Sequence, residues 1–123
     1  MQKEGALERI VSQSYDAGFE IKISRILVDF GIPPHVRGYQ YIRDALMMLM
    51  ENGNNIIGIT KNMYPEIAQK HHTTPVRVER AIRHAIEISW DRGGVNTLKS
   101  YFTENLHRPT NHDFLEFIYK RVC

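Results

Sequence analysis

The chain has 123 residues, 42% of them hydrophobic and 24% charged, which suits one globular domain and excludes wholesale disorder. Its net charge of +2 names no partner, and the single cysteine, Cys123, excludes an internal disulfide and fits a reducing, cytoplasmic setting. No apolar run approaches the roughly 20 residues that cross a bilayer, and the opening MQKEGALERIVSQ lacks the basic-then-apolar order of a signal peptide, so no membrane partner is expected.

Residues 1–21 read as a leader or linker. ALERIVSQSYDAG puts Leu7, Ile10, Val11 and Ser14 on one stripe, and Gly18 is expected to stop it. The domain proper is expected over residues 22–123. EIKISRILVDFG places Ile23, Ile26, Leu27 and Phe30 on one side and ends at Gly31, before the Pro33–Pro34 break. YQYIRDALMMLMENG is the most apolar helix and ends at Asn52–Gly53; Met47, Met48 and Met50 suit core packing. NNIIGIT reads as a loop or turn. KNMYPEIAQKHH reads as a helix with Pro65 in its first turn, the place where proline is tolerated. Residues 74–92 form a long helix that ends at Gly93–Gly94. NTLKSYFTENL and TNHDFLEFIYKRV complete the chain, with Asn111 as the N-cap of the last helix and Phe114, Leu115 and Ile118 facing inward. The pattern is all-α, without repeats.

The stretch HHTTPVRVERAIRHAIEISW carries the functional signal. At about 100° per residue, Val78, Ala81, Ile82, Ala85, Ile86, Ile88 and Ser89 fall on one half of the helix. Val76, Arg77, Glu79, Arg80, Arg83, His84 and Glu87 fall on the other. Such a face is most often only a solvated surface. The residues before it argue for more. Ala68 is small enough for a close helix approach, the connection from Lys70 to Thr74 is tight, Thr73 or Thr74 can cap the next helix, and Pro75 suits its first turn. A short helix, a tight turn and a capped second helix make a helix-turn-helix, whose second helix reads bases in the major groove. Arginine donates twice to guanine, and glutamate accepts from cytosine. The turn position often held by glycine falls here on His71 or His72, and histidine is among the residues enriched in left-handed backbone. Residues 70–92 hold five basic side chains (Lys70, Arg77, Arg80, Arg83, Arg92) against three acidic ones (Glu79, Glu87, Asp91), which also points to a polyanion.

YPEIAQKHHTTPVRVERAIRHAIEISWDRG, with GIPPHVRGYQYIRDALMML upstream and RPTNHDFL downstream, closely resembles the C-terminal DNA-binding domain of the stage-zero sporulation response regulators of endospore-forming bacteria. The resemblance spans roughly residues 22–120, and RVERAIRHAIE is its most specific part. It implies a six-helix, bundle-like transcription factor that recognises TGTCGAA-type boxes and activates or represses genes at the onset of sporulation. It implies that Arg77, Glu79, Arg80 and Arg83 contact the box. Thr74, Lys70, His84 and Arg92 complete the expected DNA-binding set as helix-start, central and flanking positions. The segment Gly93–Leu106, represented by Thr97, Lys99 and Phe102, is implied to touch the RNA polymerase sigma factor. Self-association on tandem boxes is expected. The phosphorylated receiver domain of the family has no counterpart in these residues, so the chain is expected to be an isolated effector domain.

Other chemistries fit less well. The six histidines form no ligand pair at one-turn spacing, and there is no second cysteine, so no metal or other cofactor is expected. GNNIIGIT lacks the lysine and the strand–helix context of a phosphate cradle, and no enzyme is expected. The rival reading is a helical protein-interaction module whose Arg77–Arg83 face pairs with an acidic partner. RNA is disfavoured, because the A-form major groove does not admit a helix.

Overall fold

The computed structural model describes residues 17–52, 56–92, 98–102 and 108–122, with backbone alone at 56–60 and 100. A helical segment over residues 17–29 (α1) is followed by α2 (Arg37–Glu51), α3 (Ile56–Lys70), α4 (Pro75–Asp91), the single turn α5 (Leu98–Tyr101) and α6 (Asn111–Val122). No strand occurs among the described residues, and the all-α expectation holds.

The helix ends follow local chemistry. Phe30 and Gly31 close α1, Gly31 with φ +78, a left-handed backbone open to glycine at little cost. Asn52 closes α2, donating its side-chain amide to the Met48 carbonyl at 2.7 Å. Thr74 has extended backbone, its hydroxyl accepts from the Arg77 N–H at 3.3 Å, and Pro75 begins α4 with φ already suited to a helix.

α4 is the hub, touching α2, α3, α5 and α6. Its buried face is Val78, Ile82, Ala85, Ile86 and Ser89, with Ala81 and Ile88 half-buried, so the division expected from its periodicity is the one observed. Against it pack Ile42, Leu46 and Leu49 of α2, Met63 and Ile67 of α3, and Phe114, Leu115 and Ile118 of α6, all in one core. α2 crosses close to α4 at Gly38. A Cβ there would lie 2.2 Å from the Ala81 carbonyl oxygen and 2.8 Å from the Ala85 Cβ, so only a bare backbone fits.

Four expectations are corrected. Gly18, expected as a helix stop, is itself helical within α1, and Phe19 lies in the core; the stripe expected over Leu7, Ile10, Val11 and Ser14 lies outside the described residues. The division expected after residue 21 therefore falls inside α1. NNIIGIT is not a loop throughout, since α3 already begins at Ile56. Ile56, Met63 and Ile67 share one helical spacing, a signal that β-branched composition obscured. Pro65 is consequently interior to α3, where its missing N–H leaves the Lys61 carbonyl without its helical donor. Finally, the cap of α6 is Thr110, whose hydroxyl accepts from the Asp113 N–H at 3.1 Å; Asn111 is the first helical residue and is buried.

Candidate nucleic-acid interface

The connection between α3 and α4 is a four-residue turn held by its own backbone. His72 has φ +54, which settles which histidine takes the left-handed position. The His72 N–H bonds the Gln69 carbonyl at 3.4 Å and the Thr73 N–H bonds the Ala68 carbonyl at 2.9 Å, the paired bonds of a Schellman ending. Ala68 is buried, as its small size suggested. The neighbouring His71 does a different task. Its Nε2 lies 2.6 Å from Asp44 Oδ2 on α2, and its ring meets Tyr41 edge-on at 5.0 Å. Lys70 donates to the other Asp44 oxygen at 3.1 Å. Asp44 thus ties the turn to α2, a role that no sequence pattern announced.

Beyond the turn, α4 presents its charged half to solvent. Val76, Arg77, Arg80, Arg83 and His84 are exposed, and Glu79 and Glu87 are half-buried. Arg80 lies opposite the buried stripe, at the crest of this face. Arg77 and Arg80 have no ion-pair partner among the described residues. Arg83 lies 3.5 Å from Glu79 one turn earlier, and His84 lies 3.8 Å from Glu87. Thr74 spends its acceptor on the cap, leaving its hydroxyl proton to donate outward. Lys70 remains 66% exposed despite its bond to Asp44.

α6 braces this face from the side. The Asn111 amide donates at 3.1 Å both to the Tyr64 hydroxyl of α3 and to the backbone carbonyl of Glu79 in α4. One side chain therefore fixes the start of α4 against α3. Burial raises the Tyr64 phenol above its usual value of 10.0; the Asn111 hydrogen bond pulls the other way, and the Glu79 charge adds to the rise. A cleft of about 460 Å³ opens here, lined in part by Tyr64, Glu79, Arg83, Arg108, Asn111 and His112. Arg108, which no sequence pattern singles out, adds a cation beside α4 and pairs with Glu87 at 3.3 Å. Its signal was only a basic residue ahead of a predicted helix.

The other expected residues lie apart. Arg92 caps the far end of α4, and its aliphatic stem packs over Gly31, where an added Cβ would meet Arg92 Cδ at 2.8 Å. Lys99 is exposed and sits 5.6 Å over the Trp90 ring. Phe102 is half-buried, edge-on to Phe117 at 5.0 Å. Thr97 lies outside the described residues. Among the described residues, no three His, Cys, Asp or Glu side chains are grouped to hold a metal, and no helix is long and apolar enough to cross a membrane.

A capped helix behind a Schellman turn, its charged half facing solvent and its other half locked into an all-α core, defines the class: a helix-turn-helix domain. Over residues 23–122 the chain matches the model of the family described as sporulation initiation factor Spo0A C terminal, and it belongs to that family. With the family comes sporulation-related, DNA-binding transcription regulation; this is a family of DNA-binding domains and not of enzymes.

Proposed function

We propose that this domain is a sequence-specific regulator that recognises TGTCGAA-type boxes in double-stranded DNA by laying α4 in the major groove, and that it both activates and represses genes at the onset of sporulation within a two-component system. The observation that carries this reading is the pair Arg77 and Arg80, exposed at the start of a capped second helix and without ion-pair partners among the described residues. Arginines already neutralised by carboxylates would have to break those pairs to reach guanine; these two need not. In this reading Arg77, Glu79, Arg80 and Arg83 address base edges, with His84 beside them. Thr74, Lys70 and Arg92 address phosphates at the flanks. The unit comprises residues 22–123, extended by α1 to at least residue 17. Thr97, Lys99 and Phe102 belong to a separate surface for the RNA polymerase sigma factor, and neighbouring copies associate on tandem boxes. The setting is the cytoplasm.

A competition shift assay tests this: labelled box duplex against scrambled competitor, at two salt concentrations. Retention of box preference at the higher salt supports base readout, because the phosphate contribution weakens with salt while the sequence-specific one persists. Equal competition by the scrambled duplex rejects it. An interaction module that pairs Arg77–Arg83 with an acidic protein is the rival, and indifference to duplex DNA at low salt favours it.

A further inference from the structure

Val76 stands out on the charged face of α4. It is 58% exposed, and it is not among the hydrophobic residues packed against the core. Tyr101, also exposed, packs edge-on against Phe30 and at a tilt against Phe117. Val76 has no comparable ring or core contact among the described residues. Local helix chemistry does not call for it either. It is the second residue of α4, whereas a hydrophobic staple would join the residue before the cap to the fourth helical residue, here Thr73 and Val78. Valine also has only modest helix propensity, and a water-facing position near a helix start favours a polar side chain.

Its position gives it a use. Val76 precedes Arg80 by four residues, which places it about 40° around the helix from Arg80 and about 6 Å nearer the N-terminus. Arg77 is its immediate neighbour. The N-terminal turn of the second helix of a helix-turn-helix is the part that meets base edges. In the major groove the one apolar feature offered by a base pair is the thymine 5-methyl group. A branched aliphatic tip flanked by two guanidiniums that have no ion-pair partner among the described residues matches a thymine beside a guanine, and the arginines supply the attraction to the polyanion that the valine lacks.

We propose that Val76 is a specificity-determining residue that packs on the 5-methyl group of a thymine next to the guanine addressed by Arg80. This rests on the reading above, in which α4 enters the major groove. The test uses the TGTCGAA duplex with each thymine of either strand replaced singly by uracil, which removes the methyl and leaves pairing intact. Wild-type protein should lose about fourfold in affinity at one of these positions, the worth of one buried methyl-sized group. Val76→Ala should lose a similar factor on the unmodified box, be indifferent to uracil at that same position, and melt at or slightly above the wild-type temperature. Wild-type indifference to uracil at every position overturns the proposal, as does undiminished uracil sensitivity in Val76→Ala. A scrambled-duplex arm separates the two levels: if wild type does not prefer the box at all, the major-groove reading fails and this proposal fails with it.

Discussion

Gly38→Ala should destabilise the domain, and the structure sets the size of the effect. The added Cβ would sit 2.2 Å from the Ala81 carbonyl oxygen, against the 3.4 Å or more of an ordinary contact. Over 1 Å must be found by moving α2 or α4. The obstacle is backbone inside a helix, and no side-chain rotation relieves it. Overpacking of a tight core costs about 1–3 kcal/mol, and the upper end applies to a rigid neighbour. Alanine returns up to about 1 kcal/mol through helix propensity. The net expectation is a loss of about 2 kcal/mol, or about 8–15 °C in Tm for a domain near 100 residues. Gly18→Ala is the matched control. Gly18 is also helical, but nothing lies within 4 Å of its built Cβ, so the same substitution should be neutral or stabilise by up to about 1 kcal/mol. Thermal melts followed by near-UV circular dichroism, with urea midpoints for both variants, make the comparison. If Gly38→Ala melts at or above wild type, the close α2–α4 crossing does not exist in solution.

Further outcomes concern the interface and its supports. Arg80→Ala should cost about 1–3 kcal/mol of box affinity with Tm unchanged, and Arg83→Ala should cost less, because Arg83 is shared with Glu79; equal protection of the box by Arg80→Ala and wild type refutes the assignment. Lys70→Ala and Arg92→Ala should weaken binding to all sequences alike and each lower the salt slope by about one unit; altered base preference at an unchanged slope argues against phosphate contact. Asn111→Ala leaves the Tyr64 hydroxyl and the Glu79 carbonyl without their shared donor and should cost about 1–3 kcal/mol by chemical denaturation. Because Tyr64 has a raised folded-state pKa, its contribution to stability is complete below its unfolded value near 10.0 and is lost as pH rises through the folded one. The urea midpoint should therefore fall in that alkaline window in wild type and fall less in Tyr64→Phe; parallel curves would show that Tyr64 is not responsible. Lys99→Ala should leave box affinity intact and reduce transcription from a promoter carrying an upstream box; loss of DNA binding instead would reassign that surface.

Periodicity alone determined much of this protein. The inward and outward halves of α4, the capping by Thr74 with Pro75 behind it, and the inward line of Phe114, Leu115 and Ile118 are consequences of a 3.6-residue repeat and of local backbone chemistry, so they are legible along the chain. The charged face of the candidate interface is legible for the same reason. The start of α3 is not legible locally, because Ile56, Ile57, Ile59 and Thr60 suit a strand as well as a helix and only the spacing that runs on to Met63 and Ile67 marks it. Other features depend on residues far apart in sequence. Asp44 reaches His71 and Lys70 across 27 and 26 positions, Asn111 reaches Tyr64 and Glu79 across 47 and 32, and Gly38 matters only because α4 crosses it. Nothing local distinguishes that aspartate, asparagine or glycine from its neighbours. The choice of Thr110 over Asn111 as the cap of α6 has the same origin: both can cap a helix, and the Asn111 amide is taken by α3 and α4, which only the packed fold brings within its reach.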